Sequence, residues 1–170
     1  GQRRRLGRVL LANNLADRSS NSDFLTRLKQ TVQRITANSG DNNVTFHICA
    51  GLAGGTGSGS VVDVISQIRN EYIPYPLPEG GQSYSIALYL YVPEHVIVNP
   101  KHDQQGLYQA NGFAALAELN AMSVGAYQPY DTTGKRDPFT NTPNSLLIGK
   151  NAFEAAYLYS NVNEAGKVLD

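Results

Sequence analysis

The sequence has little of several residue types, and each shortage excludes a class of protein. Cys49 is the only cysteine among 170 residues, so no disulfide can form within the chain, which is typical of a reducing compartment. The apolar runs are all shorter than the roughly 18 residues that a membrane-spanning helix needs, and no signal peptide is visible. We therefore expect a cytoplasmic protein without a membrane span.

Charge is scarce as well, because only 16% of the residues are charged. Fourteen basic and fourteen acidic residues cancel, so no net field attracts nucleic acid or anionic lipid. The basic residues are unevenly spread, and four of them lie near the start: Arg3, Arg4, Arg5 and Arg8. Such a run can bind nucleic acid, but we interpret it as a solvated segment and do not expect a nucleic-acid partner.

Hydrophobic periodicity alternates between helical and strand-like segments. Apolar residues three or four apart predict four helices. The first covers residues 8–17, the second lies between the capping residues 21–23 and the stop signal at 38–41, the third runs from the end of a glycine loop (residues 51–59) to residue 72, and the fourth covers 105–122. Alternating or continuous apolar runs predict strands at 44–49, 84–92 and 155–160, the last two buried. Proline and glycine mark 125–145 as a loop insertion.

This order of elements indicates an α/β fold with a Rossmann-like parallel sheet that is flanked by helices and joined by right-handed crossovers. Ligands of such sheets bind beyond the carboxyl ends of the strands. Three segments are expected there, namely residues 51–59, 93–104 and 161–164.

The glycine loop after the first predicted strand has the composition of an anion site. Glycine tolerates positive φ and has no Cβ atom to keep a phosphate away from the backbone. Successive N–H groups and the positive end of the following helix then converge on the anion, and threonine and serine add hydroxyl donors. The predicted phosphate-binding residues are Ala53, Gly54, Gly55, Thr56, Gly57, Ser58 and Gly59.

Two better-known phosphate loops do not fit this segment. A Walker A loop requires lysine where this chain has Ser60, and a Rossmann fingerprint requires GxGxxG where these glycines run GGxGxG. A structural alternative stays open, in which the glycines only allow a helix to pack closely on its neighbours.

The string AGGTGSG resembles the tubulin signature, in which a small residue precedes GGTG, serine or alanine, and glycine. Gly1-Gln2 and Arg5-Leu6-Gly7-Arg8 are similar to a segment of bacterial tubulin-like proteins that lies upstream of this loop. The resemblance covers residues 1–170 and implies part of a tubulin-type GTP-binding domain. The first phosphate loop and the C-terminal part, with its acidic catalytic loop, are expected outside this segment, so the chain is expected to carry no catalytic residue and to bind nucleotide weakly by itself.

The same resemblance implies contacts to the rest of the nucleotide. Cell-division homologues of tubulin place glutamate and arginine where this chain has Gln104 and Tyr108, so Asp103 and Gln104 are the candidate ribose contacts. Asn161, or alternatively Asn163, follows the third strand, where members of the family contact the edge of the guanine base with an asparagine side-chain amide. A solvated aspartate and ordinary turn asparagines are the structural alternatives, and guanine against adenine stays open.

The implied cofactors are GTP and Mg²⁺, the metal being held through the phosphates, and the implied partners are other copies of the chain that assemble head-to-tail into a cytoskeletal polymer. Hydrolysis of GTP would be completed at the subunit junction. A second hypothesis is a structural or regulatory module that has lost turnover, because Gln104 and Tyr108 replace the charged pair. We also expect a packed or hydrogen-bonded His47 and a small, buried Cys49, and we do not expect His95 and His102 to form a metal site.

Overall fold

The computed structural model describes residues 3–16, 23–41, 43–73, 84–94, 103, 106–133, 136–142 and 151–168. The helices and strands in these ranges are, in chain order, α1 (Arg4–Ala16), α2 (Phe24–Ser39), β1 (Val44–Gly51), α3 (Gly55–Tyr72), β2 (Tyr84–Tyr91), α4 (Tyr108–Ser123) and β3 (Ala155–Tyr159). The predicted α/β class is confirmed. Within these ranges no helix is long and apolar enough to cross a membrane.

The three strands form a parallel sheet in the order β1-β2-β3. Gly51 pairs with Tyr91, and Tyr91 pairs with Tyr159, so the carboxyl ends of the strands lie level with one another. The ladder extends one residue further, because the Leu52 N–H donates to the Tyr91 carbonyl at 2.8 Å and the Val92 N–H donates to the Tyr159 carbonyl at 2.9 Å. The segments after the strands therefore leave the sheet at one edge, as predicted.

The core lies on one face of this sheet. Right-handed crossovers between neighbouring parallel strands place both connecting helices on the same side. Alternate residues of β2 are almost fully buried there, and α3 and α4 contribute the other apolar side chains. The central buried residues are Ile86, Leu88, Leu90, Val61, Ile65, Ile68, Leu119 and Met122.

The other face of the sheet is open among the described residues, which corrects two predictions. Cys49 is exposed rather than buried, because it points to this face. His47 lies on the same face, and the hydrogen bond between its Nδ1 and the hydroxyl of Tyr89, at 3.1 Å, confirms the expected hydrogen-bonded histidine. The predicted third strand is also not buried, because β3 is the last strand of the described sheet, and Tyr157 and Leu158 are 51% and 58% exposed.

Local signals set the ends of the helices. Asp23 caps α2, as predicted, by accepting the Thr26 N–H at 2.9 Å, and the hydrogen bonds from Thr26 lower the pKa of Asp23. Gly40 ends the same helix with φ 67°, where glycine avoids the steric cost of the left-handed region. Helices α1 and α4 begin at Arg4 and Tyr108, whereas the sequence predicted residues 8 and 105.

The start of α3 differs more from its prediction. The helix begins at Gly55, so residues 55–59 of the predicted loop are helical. Glycine has a low helix propensity, which made a loop the natural prediction. In the structure, tertiary contacts of these glycines with neighbouring backbone outweigh that preference.

The described residues 125–133 and 136–142 form turns without a helix or a strand. Asp131 ties the first of these ranges to α3, because it accepts from Gln67 Nε2 at 3.2 Å and from the Thr133 N–H at 2.8 Å. In the second range Asp137 accepts the backbone N–H groups of Phe139 and Thr140. These hydrogen bonds lower the pKa of Asp137, the one from Thr140 most strongly. That 125–145 is an insertion stays a prediction.

Candidate functional site

The candidate site begins where β1 turns into α3. Residues 52–54 make the connection, and Gly54 occupies the N-cap position with φ −81° and ψ 170°, without a side chain to bond the helix. The first N–H groups of any α-helix have no acceptor within the helix. Here these are the N–H groups of Gly55, Thr56 and Gly57, which carry the positive end of the helix dipole. The first turn of α3 can therefore receive an anion.

The four glycines of the motif meet different surroundings. A Cβ atom at Gly55 would lie 2.6 Å from the Arg3 nitrogen, and one at Gly59 would lie 2.1 Å from the Arg4 carbonyl oxygen. At Gly57 it would lie 2.3 Å from the Gly51 carbonyl oxygen, whereas at Gly54 no atom of a described residue lies within 4 Å. Close packing against protein thus accounts for three of the glycines, and Gly54 alone faces open space.

The two hydroxyls of the motif also differ. Ser58 is 1% exposed, and its hydroxyl donates to the Gly54 carbonyl, so it points into the protein and not toward the open turn. Thr56 is exposed, and its hydroxyl makes no hydrogen bond to a described residue. Of the two hydroxyls predicted as phosphate donors, the structure leaves that of Thr56 accessible.

Helix α1 packs directly on the first turns of α3. A Cβ atom at Gly7 would lie 2.4 Å from the Gly55 carbonyl oxygen, so the two backbones touch. Arg4 donates from Nε and Nη2 to the Ser58 carbonyl at 3.0 and 2.8 Å, and its Nη1 lies 3.2 Å from Glu118 Oε1 of α4. The interpretation of this arginine run as solvated is wrong for Arg4, which holds three helices together.

Arg8 makes the second polar contact between α1 and α3. Its Nε lies 2.9 Å from Oδ2 of Asp63, whose side chain is 2% exposed, while that of Arg8 is 43% exposed. Burial raises the pKa of Asp63, and the charge of Arg8 opposes this shift. Burial also raises the pKa of Tyr127. Arg8 therefore also makes a structural contact, while nearly half of its side chain is exposed to solvent.

A cavity of about 230 Å³ lies beside this contact. It is lined by Arg4, Arg5, Arg8, Gly59, Val62, Asp63, Glu118 and Tyr127. It meets the glycine motif only at Gly59, so it is separate from the open first turn of α3.

Helix α4 braces the motif from another side. Asn111 is buried, and its Nδ2 donates to the Ala53 carbonyl at 2.9 Å. A Cβ atom at Gly112 would lie 2.3 Å from Pro93 Cγ, so α4 also sits closely on the segment that follows β2. Sequence reasoning missed Asn111 and Arg4, and the only available signal was a polar residue within the alanine-rich stretch of α4.

The candidate ribose and base residues lie near the carboxyl ends of the strands, and they differ in burial and in their hydrogen bonds. Asp103 accepts the Leu107 N–H at 2.8 Å and the Tyr108 N–H at 3.3 Å, so it orders the start of α4. Asn161 is buried, two residues after β3. The Oδ1 of Asn163 accepts the N–H groups of Ala165 and Lys167, at 3.0 and 2.9 Å.

Gln104, the other ribose candidate, lies outside the described residues, as do His95 and His102. The described part of the chain contains no group of three or more histidine, cysteine, aspartate or glutamate side chains placed to hold a metal ion.

The fold defines a class, namely α/β domains in which a helix begins beyond the carboxyl ends of parallel strands, where ligands of such sheets bind. A family model described as tubulin like matches residues 1–170. The chain belongs to this tubulin-like family. Comparison with curated proteins and with solved structures found no match. Similarity to the bacterial members stays a prediction.

Proposed function

We propose that the chain is the phosphate-binding part of a GTP-binding, tubulin-like protein, which hydrolyses GTP when the intact protein assembles head-to-tail. The observation that carries this proposal is the open first turn of α3, where Gly54 stands in an extended N-cap conformation at the carboxyl edge of the sheet. The N–H groups of this turn have no acceptor within the helix and suit phosphate oxygens. Membership of the tubulin-like family supports the extension to GTP and to assembly.

The neighbouring residues fit a nucleotide in this position. The exposed hydroxyl of Thr56 lies on the first turn of α3 and can donate to a phosphate. Asp103 keeps lone pairs for a ribose hydroxyl while it accepts two backbone N–H groups. Asn161 and Asn163 follow the end of β3 and are the two candidate base contacts, and the side-chain oxygen of Asn163 already accepts two N–H groups.

Calorimetric titration of the intact protein with GTP, GDP and ATP tests the proposal. We expect micromolar affinity for GTP and affinity for ATP weaker by about tenfold or more, because an amide that pairs with guanine mismatches adenine. Residues 1–170 alone are expected to bind GTP more weakly than the intact protein. Absence of all nucleotide binding by the intact protein would overturn the proposal.

A second candidate function is a structural or regulatory tubulin-like module without turnover. The observation in its favour is that both oxygens of Asp103 already accept N–H groups of α4, and that Tyr108 stands where cell-division homologues have arginine. GTP turnover and light scattering at increasing protein concentration separate the two candidates. Hydrolysis that rises faster than protein concentration supports the first, and assembly that is indifferent to GTP supports the second.

A further inference from the structure

Arg4 contacts the phosphate-binding end of α3 from the side of α1. We propose that Arg4, held by Glu118, is a positioning residue that fixes the first turn of α3 and so sets its affinity for phosphate. This inference rests on the proposed nucleotide binding, and it assigns a role to residues that carry no part of the glycine motif.

The geometry of Arg4 links three helices through one guanidinium group. Nε and Nη2 both donate to the Ser58 carbonyl, at 3.0 and 2.8 Å, and Nη1 and Nη2 face the two carboxylate oxygens of Glu118. Only a planar group with donors along two of its edges can serve both acceptors at once. Lysine would keep the charge of Arg4 and lose this geometry.

Two anchors bracket the anion-binding turn. Arg4 holds the carbonyl of Ser58, and Asn111 holds the carbonyl of Ala53 at 2.9 Å. The residues between these anchors include Gly54, which has no side chain to order the turn. Holding both ends of the turn lowers the conformational entropy that phosphate binding would otherwise cost, and such preorganisation raises affinity.

The contact of α1 with α3 makes Arg4 a firm support. Backbone atoms touch at Gly7 and Gly55, and again at Arg4 and Gly59, so α1 packs against the first turns of α3 without intervening side chains. The charge of Arg4 is paired with that of Glu118, and its donors are directed to protein acceptors. Arg4 therefore acts through the geometry of α3, and not by placing a free charge next to the phosphate.

Arg5 provides a matched control. It lies on the same helix and lines the same cavity as Arg4, it is exposed, and it makes no hydrogen bond to a described residue. Arg4→Lys and Arg5→Lys both preserve the positive charge. Only Arg4→Lys removes a guanidinium group that bonds two acceptors, so the comparison isolates the effect of this geometry. Glu118→Gln is a third variant, which keeps an acceptor for Arg4 and removes the charge.

The experiment compares these variants of the intact protein by GTP titration, thermal unfolding and amide hydrogen exchange. Arg4→Lys is expected to weaken GTP binding by about fivefold to tenfold, the lower end of the range for coupling between sites. Arg5→Lys is expected to change affinity by less than about twofold, the effect of an uncoupled surface site. Without nucleotide, amides of residues 55–62 should exchange faster in Arg4→Lys, whereas those of α2 should not. Glu118→Gln should show the same exchange pattern with a smaller loss of affinity.

Several results would overturn the inference. Equal loss of affinity in Arg4→Lys and Arg5→Lys would show an effect of charge position and not of geometry. A lower melting temperature in Arg4→Lys with unchanged GTP affinity would show a merely structural residue. If the wild-type protein binds no nucleotide, the proposed function fails by itself, and hydrogen exchange then decides the positioning role. If Arg4→Lys does not fold, the exchange at 55–62 in Glu118→Gln takes its place, and unchanged exchange there contradicts the proposal.

Discussion

Gly54 and Gly59 belong to the same short motif but meet opposite surroundings. A side chain at Gly54 would extend into open space, whereas a side chain at Gly59 would meet the backbone of α1 at 2.1 Å. The packed end lets α1 approach α3, and the proposed function assigns anion binding to the open end. Substitutions at the two ends therefore test packing and binding separately.

The largest effect is expected at the packed end. Gly59→Val places a branched side chain against the carbonyl of Arg4, so α1 must move away from α3. We expect a loss of about 3 kcal/mol or more in the free energy of unfolding, the upper range of overpacked cores. Urea denaturation measures it, with Gly54→Ala as the control at the open end. A loss below about 1 kcal/mol for Gly59→Val would show that the helices can separate cheaply.

The ion pair behind the packed end gives the next effect. Arg8→Met leaves the carboxylate of Asp63 buried without its cation. Removing one partner of a fully buried pair costs about 3–5 kcal/mol, and we expect about 2 kcal/mol here because Arg8 is half-exposed.

The double variant Arg8→Met with Asp63→Leu is the control for this prediction, because replacing both charges by apolar groups removes the uncompensated carboxylate. It should be more stable than Arg8→Met in thermal and urea unfolding. A double variant as unstable as the single one would mean that the packing of the Arg8 stem matters and not its charge.

Gly54→Asp tests the open end of the glycine motif. Aspartate is a favoured N-cap residue, and φ −81° with ψ 170° suits that role, so we expect stability to rise by about 0.5 kcal/mol. The same carboxylate repels a phosphate at the first turn, and GTP affinity should fall by about tenfold or more. Gly54→Ser, a neutral cap, is the matched control. Retained GTP affinity in the aspartate variant would place the phosphate elsewhere.

The smallest effect is expected far from the motif, at Tyr72 near the end of α3. Its hydroxyl is buried without a hydrogen-bond partner among the described residues, and burial raises the pKa of Tyr72 to about 12. Tyr72→Phe should therefore leave stability at pH 7 unchanged or raise it by less than about 0.5 kcal/mol, because no hydrogen bond is lost and a desolvated hydroxyl is removed.

Alkaline pH sharpens the prediction for Tyr72. An unfolded tyrosine ionises near pH 10, whereas the folded Tyr72 ionises at a higher pH. The unfolded chain therefore loses its proton first, and Tyr72 reduces the stability of the fold as the pH rises from about 10 to about 12. Tyr72→Phe should become progressively more stable than wild type over this window. Parallel unfolding curves at pH 7 and pH 11 would contradict the raised pKa.

Features encoded locally were predictable from the sequence. Asp23 and Gly40 mark the ends of α2 by their own side-chain and backbone chemistry, and the period of the apolar residues gave the three parallel strands. The start of α3 was not predictable, because the helix propensity of Gly55 is low and its compensation comes from Arg3, more than fifty residues earlier. Apolar composition alone also cannot tell a buried strand from an edge strand such as β3.

The same division holds for the candidate site. The position of the glycine motif at the carboxyl edge followed from the order of the elements. The inward hydroxyl of Ser58 depends on helix geometry. The contacts of Arg4 with Ser58 and of Asn111 with Ala53 join residues 54 and 58 positions apart in the chain, so the spacing of the motif does not reveal them.

The central claim is that phosphate binds at the open first turn of α3. Amide NMR of the intact protein during titration with GTP tests it most directly, because hydrogen bonding to phosphate shifts the resonance of the donating N–H. We predict the largest shifts at Gly55 and Thr56, smaller ones at Gly59, and none at Gly40, which ends α2. Saturable GTP binding that leaves Gly55 and Thr56 unshifted would contradict the account.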